Sequence, residues 1–322
     1  MDIKKIKQPV EVELKTFESY FKSRVKTVVP LLDTIINYII RNKGKQVRPM
    51  MVFLSANVIA KPGQKTYEAA ALIELLHTAT LIHDDIVDEA YERRHSFSVN
   101  ALWKSKKAVL IGDYLLSKGL LTALEHKNYD LLHSISDAVA QMSEGELMQA
   151  KASRSNHTDI ELYLEIIRRK TATLFAACTL CGAQSVNAEE NQLQALKIYG
   201  ESAGMLFQIK DDLLDFEESN QSGKTTGNDL ANMKFTLPLL LAMQSKGIET
   251  KQAFKNYIRK NYKSFSIETV RKFINESDAK SKVEETIQSY RMKGLAALKQ
   301  LPDNDANKSL VLLLDYIVER NK

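Results

Sequence analysis

A chain of 322 residues with 44% hydrophobic and 26% charged side chains has an ordinary soluble globular composition, with enough apolar surface for a large core. Its net charge of +5 is mild and spread out: the basic run Lys251, Lys255, Arg259, Lys260 and Lys263 is followed by Glu268, Glu276, Glu284 and Glu285, a solvated face that argues against a nucleic-acid partner. The N-terminus M-D-I-K-K-I-K-Q-P-V lacks the apolar stretch of a signal peptide, and no apolar run approaches the ~20 residues of a membrane span, so a cytoplasmic protein without a transmembrane segment is expected.

Proline accounts for 6 residues and glycine for 12, and no Pro/Gly/Ser-rich stretch resembles a linker, so residues 1–322 read as a single domain in which helices can run long. The two cysteines, Cys178 and Cys181, form C-x-x-C inside A-A-C-T-L-C-G-A. A structural zinc site needs four ligands, and no second cysteine pair or nearby histidine pair completes one. A buried apolar pair is expected instead.

Apolar residues at helical spacing run from Val12 to Val25 and again from Leu31 to Ile39, with Pro30 marking a break between two helices. R-N-K-G-K-Q-V-R-P follows, in which Gly44 frees the backbone and Pro49 is placed to open the next helix. Lys45 and Arg48 would sit where an anion is met by cationic side chains and by helix N-terminal amides. Residues 68–89 read as the longest buried helix, apolar nearly all round except for Glu74, His77, Asp84 and Asp88. Seven residues are close to two turns, which puts His77 on the side of Asp84.

Further along, H-S-F-S-V-N-A-L-W reads as a loop and Ala108–Leu124 as a helix with Asp113 in an apolar face. A helix over Ile135–Gln149 places Glu146 and Gln149 three apart, and one over 160–181 carries Arg168, Arg169 and Lys170 before Thr171. Around 204–215, Gly204, Gln208, Asp211 and Asp215 share one helix side, while Leu206, Ile209 and Leu213 share the other. S-G-K-T-T-G-N-D-L-A-N-M-K-F-T-L-P, with Lys224 and Lys234, is the most loop-like stretch, and its glycine spacing is wrong for a Walker phosphate loop. Helical periodicity resumes at Leu237, and no stretch alternates convincingly with period two, so the fold class is all-α.

The chemistry concentrates in two aspartate clusters: Asp84, Asp85 and Asp88 in L-I-H-D-D-I-V-D, and Asp211, Asp212 and Asp215 in Q-I-K-D-D-L-L-D-F. At average Asp usage, D-D-x-x-D arises by chance in such a chain with probability of about 0.08, and twice with roughly a few in a thousand. The pair therefore outweighs the bland reading of two solvated helix ends. Residues four apart on a helix lie roughly 5–6 Å apart at Cβ, an arrangement that suits Mg²⁺ shared with a substrate diphosphate. Arg93, Arg94, Lys170, Lys224 and Lys234 are available to neutralise that diphosphate, and Lys45, Arg48 and His77 form a second cationic set for another. Two diphosphates over an apolar interior point to prenyl transfer, and nothing in Leu81 to Arg94 looks like a hydrolytic nucleophile.

At these motifs the chain resembles the trans-isoprenyl diphosphate synthases of the polyprenyl synthetase family, most of all the octaprenyl-type synthases that make quinone side chains. H-T-A-T-L-I-H-D-D-I-V-D resembles the family's first aspartate-rich motif, F-Q-I-K-D-D-L-L-D its second, and G-K-Q-V-R-P its G-K-x-x-R-P element, in the family's order over about residues 40–240. The resemblance implies a single antiparallel helical bundle around a deep cavity, usually homodimeric. It implies Mg²⁺ on Asp84, Asp88, Asp211 and, through water, Asp215. By the same resemblance Arg93, Lys170, Lys224 and Lys234 hold the allylic diphosphate, Lys45, Arg48, His77 and Arg94 hold isopentenyl diphosphate, and Thr171 and Gln208 face the nascent allylic cation.

Two positions depart from the family pattern: Gln46 where arginine is frequent, and Met233 where glycine is common before Lys234. Product length is read from the residues beneath the first cluster. Ala79, five residues before Asp84, lies ~7.5 Å further along the helix axis. Short-chain members of the family place a bulky residue at or next to that position. Here Ala79 and Thr80 are small and Leu75 and Leu76 are not aromatic, so a medium- to long-chain all-trans product is expected, with transient membrane contact at its release. Farnesyl or geranylgeranyl diphosphate is the alternative, as is a cavity floor near Leu115 to Gly119. A class I terpene cyclase would bind one diphosphate and replace the second cluster with an N-S-E type pattern. A regulatory subunit would lack the clusters.

Overall fold

In the computed structural model the described residues are 3–42, 44, 46–93, 96–217, 235–262 and 265–320. Lys45, Arg94, Lys224 and Lys234 lie outside them. The N-terminal part comprises α1 (Ile3–Lys7), α2 (Glu11–Val25), α3 (Pro30–Arg41) and α4 (Val47–Ile59). Pro30 occupies the first turn of α3, where its missing N–H costs nothing. Pro49 does not open α4 as expected: the helix starts at Val47 behind Gln46, whose φ of +55° turns the chain in.

The central helices are α5 (Gln64–Val87), α6 (Val99–Trp103), α7 (Ser105–Glu125), α8 (Tyr129–Arg154), α9 (Ile160–Ile167), α10 (Thr173–Gln184) and α11 (Glu190–Glu217). With 24 residues, α5 is not the longest, since α8 has 26 and α11 has 28. The stretch expected to be a loop after α5 instead folds into a two-residue hairpin, β1 (Glu92–Arg93) against β2 (Ser96–Phe97), and the short α6. Ser98 starts that helix by accepting from the Ala101 N–H. The C-terminal part adds α12 (Leu237–Ser245), α13 (Lys251–Asn261), α14 (Ile267–Asn275), α15 (Ala279–Leu298) and α16 (Asp305–Glu319). Apart from the hairpin and an isolated bridge between His157 and Thr250, the described residues are helical or irregular, and none of their helices is long and apolar enough to cross a membrane.

Helices apolar all round must be buried all round, and α4 and α10 meet that condition. Met50, Met51, Val52, Phe53 and Leu54 are fully buried, as are Cys178 and Cys181. Burial pushes the Cys178 thiol up to about 12 and the Cys181 thiol well above its ordinary value, so both pack as apolar side chains rather than as thiolates. α10 lies against both α4 and α11, and α5 lies along α7. A methyl group at Gly204 would overlap the Ala172 backbone, so this glycine lets α11 approach the start of α10.

Between α9 and α10 the helix does not stop but widens into a π turn over Arg168–Ala172, closed by the Thr173 N–H on the Arg168 carbonyl. Such turns cost helical regularity and recur at functional sites. This one carries Lys170 and Thr171.

Candidate active site

Two helix ends supply the aspartates. At the C-terminal end of α5, Asp84 is half-buried, Asp85 is buried, and Asp88 is exposed and donates its N–H to the Asp84 carbonyl at 2.8 Å. Near the end of α11, adjacent aspartates turn to different faces because successive helical residues are 100° apart. Asp211 is half-exposed and accepts from Arg320 Nη2 at 2.9 Å, whereas Asp212 is buried and accepts from Tyr163 and Gln208.

Three of the predicted cationic residues, Arg48, His77 and Lys170, line cavities, whereas Arg93 lines neither of the two. One, of about 480 Å³, is lined by Arg48 and His77 together with Glu74, Asp85, Phe207 and Arg320. Its wall holds a ladder in which the Arg48 guanidinium lies 5.8 Å from the Phe175 ring centre, Phe175 lies 5.4 Å from Phe207, and Arg320 caps Phe207 at 4.2 Å. Aromatic faces hold both guanidinium groups at the cavity wall, and Arg320 is also paired with Asp211. The second cavity, of about 160 Å³, is lined by Lys170, Thr171, Gln208, Asp212, Gln149 and Tyr163 among others.

Lys170 lies 2.6 Å from Glu146 and 3.5 Å from the Gln149 side-chain oxygen, so the two polar residues spaced three apart on α8 both face it. Gly145 lets the π turn approach α8, since a Cβ there would lie 2.9 Å from the Lys170 backbone nitrogen. On its other flank Glu144 pairs with Arg169. Glu165 accepts from both Arg168 and Arg169, and these bonds, Arg168 first, hold its carboxyl down at about 2.

Of the residues read for chain length, Ala79 is buried in an apolar cluster with Leu75, Ile82, Ile111 and Leu115. Leu76 belongs to the main core, and Thr80 donates its hydroxyl to the His77 carbonyl. Gly119 faces Leu72, with 3.0 Å from a built Cβ to Leu72 Cδ1. Asp113 does not lie in an apolar face: its side chain is 59% exposed and sits 3.5 Å from His83 Nε2. Periodicity alone reads too wide an apolar stripe on α7. Arg93 is placed by the hairpin, where it pairs with Ser96.

Sequence reasoning missed Arg320, Asp212 and Tyr163. Arg320 meets Asp211 across 109 positions and Tyr163 meets Asp212 across 49, so no local spacing announces either contact. Asp212 was visible as the second residue of the cluster but not as a buried acceptor.

Among the described residues no three acidic, histidine or cysteine side chains converge into an all-protein metal cage. Mg²⁺ rarely uses one, being held by one or two carboxylates with phosphate oxygens and water. The donors Asp84, Asp88, Asp211 and Asp215, paired on two helix ends, fit that mode.

Comparison with known proteins bears on the family and the fold. The chain is 31% identical to octaprenyl diphosphate synthase of Escherichia coli over 323 aligned residues, covering all of both chains. Its fold matches that of a polyprenyl synthase from Caulobacter crescentus, solved with calcium and isoprenyl diphosphate, at TM-score 0.88 and 29% identity over 100% of this chain and 98% of the other. A geranylgeranyl pyrophosphate synthase from Bacteroides thetaiotaomicron matches at TM-score 0.80 and 34% identity over 99% of both. The family model described as polyprenyl synthetase matches residues 29–276, and the chain belongs to that family.

Proposed function

We propose that the protein is a Mg²⁺-dependent prenyltransferase that condenses isopentenyl diphosphate head-to-tail with an allylic diphosphate, giving a medium- to long-chain all-trans polyprenyl diphosphate. What supports this reading is that Arg48 and His77 line one cavity and Lys170 the other, while Asp84 and Asp88 lie at the end of α5 and Asp211 and Asp215 near the end of α11. The likeness to octaprenyl diphosphate synthase over the full chain supports the longer product. The likeness to a geranylgeranyl pyrophosphate synthase favours a twenty-carbon product as the second reading.

Asp84, Asp88, Asp211 and Asp215 would hold Mg²⁺ on the allylic diphosphate. When bound, the metal supplies positive charge to the oxygens on which charge develops as the carbon–oxygen bond breaks. Lys170, with Arg93, Lys224 and Lys234, neutralises the leaving diphosphate, while Lys45, Arg48, His77 and Arg94 hold isopentenyl diphosphate. Thr171 and Gln208 face the allylic carbons, where their dipoles stabilise positive charge without capturing it. The isopentenyl double bond attacks that carbon, and the proton lost in forming the new double bond passes to the released diphosphate.

The 322 residues act as one catalytic unit, working as a homodimer. The exposed Leu110, Leu121 and Leu124 on α7 are apolar surface that a second copy would cover, which sedimentation of the purified protein tests. Incubation with isopentenyl diphosphate, labelled allylic primers of increasing length and Mg²⁺, followed by chromatography of the products, tests the activity and its chain length together. Absence of any condensed product from every primer would sink the reading.

A further inference from the structure

A line of four side chains runs from the packed side of α9 to the candidate site. The buried Tyr163 hydroxyl donates to Asp212 Oδ2 at 2.5 Å, and Gln208 Nε2 donates to Asp212 Oδ1 at 2.7 Å. The Thr171 hydroxyl, in the π turn, donates to Gln208 Oε1 at 2.9 Å. Gln208 offers its nitrogen to Asp212 and its oxygen to the Thr171 hydroxyl, so each end of the amide has a partner of the matching kind. Asp212 is 4% exposed and offers one oxygen to each donor. A carboxylate so desolvated is held by such bonds, and losing one removes part of what fixes its orientation.

We infer that Tyr163 and Asp212 are positioning residues for the Gln208 amide. The two adjacent aspartates of α11 then have separate tasks: Asp211 is turned toward Arg320, while Asp212 faces inward and fixes the amide. The inference rests on the proposed placement of Gln208 and Thr171 at the allylic carbons. With the amide held as observed, its oxygen is the negative end available to a developing cation. With the amide turned over, two N–H donors take that place and oppose the same charge. Lys170 bonds to Glu146 and Gln149, apart from this line of side chains. Loss of Tyr163's hydroxyl therefore acts on a step in which positive charge appears and leaves binding alone.

Tyr163→Phe, Gln208→Leu and the double variant are compared with the parent protein in steady-state condensation, with KM measured for both diphosphates. Tyr163→Phe is expected to lower kcat about 10-fold, the usual scale for a partner that orients an active group, with both KM values within about twofold of the parent. The double variant is expected to be no slower than Gln208→Leu alone, because both changes remove the same oriented amide. Multiplicative losses, or an effect on KM in place of kcat, would overturn the positioning role while the prenyltransferase reading stands. Full activity in Gln208→Leu would remove the premise about Gln208, and a parent protein without condensation activity would remove the functional reading itself. If Tyr163→Phe fails to fold, Asp212→Asn, which keeps the side-chain volume, carries the same expectation and the same refutation.

Discussion

Arg320 Nη2 lies 2.9 Å from Asp211 Oδ1, and the same guanidinium caps the Phe207 ring and donates to the Phe207 carbonyl. The last helix is thereby tied to the second aspartate cluster. Arg320→Met keeps the apolar stem but removes a charge-assisted bond and a cation–π contact, and should lower stability by about 1–2 kcal/mol. In a double-mutant cycle with Asp211→Asn, only the part of that loss due to the Asp211 bond should be shared between the two sites, the Phe207 contacts remaining additive. Unchanged denaturant midpoints would show the pair to be ornamental.

Asp84→Ala and Asp211→Ala should each leave the protein folded, since both side chains are partly solvent-exposed, yet depress condensation by about 10²–10³ or more. Circular dichroism checks the first half and turnover at saturating Mg²⁺ the second. Near-normal turnover in either variant would refute the metal assignment.

Arg48→Ala and His77→Ala should raise KM for isopentenyl diphosphate far more than KM for the allylic partner, because an interaction in one cavity acts on its own ligand. Both residues line the larger cavity and neither lines the smaller. Equal effects on the two substrates would mean that the cavities have been assigned the wrong way round.

Ala79→Tyr should shorten the product to the short-chain class while retaining the first condensations. Ala79 is packed among Leu75, Ile111 and Leu115, so the added ring also overpacks this cluster and should cost about 1–3 kcal/mol. Product chromatography decides the matter, and an unchanged distribution would show that the tail does not pass Ala79.

Glu165 gives a signature in acid. Its carboxyl is held at about 2, below the usual 4.5, by Arg168 and Arg169, so the bonds to Arg168 and Arg169 stabilise the fold above pH 4.5, and that stabilisation fades as pH falls toward 2. The difference in Tm between the parent and Glu165→Gln should be constant above about pH 5 and shrink below it. A difference that persists unchanged to pH 3 would contradict the assigned cause.

The all-α architecture and both aspartate-bearing helix ends were legible because aspartates inserted into apolar helical periods stand out against their surroundings. Glu146 and Gln149 could be paired on spacing alone, and they meet one lysine. What escaped depends on the direction a helix faces once packed. Asp113 lies beside His83 at a crossing whose angle no single helix encodes. Arg320 and Tyr163 reach their aspartates through the way α16 and α9 lie on α11, a property of the assembled bundle.

The π turn at Arg168–Ala172 also fixes a phase. α11 presents Phe207 to Phe175 and Asp212 to Tyr163, so one helix must be met by residues on both sides of the widened turn. An α-helix without the extra residue would rotate one side by about 100° relative to the other, and only one of the two contacts would survive. Deletion of any single residue between 168 and 172 would therefore force a choice between the aromatic ladder and the tyrosine contact, whereas a deletion in the irregular connection before α9 would shift no such register.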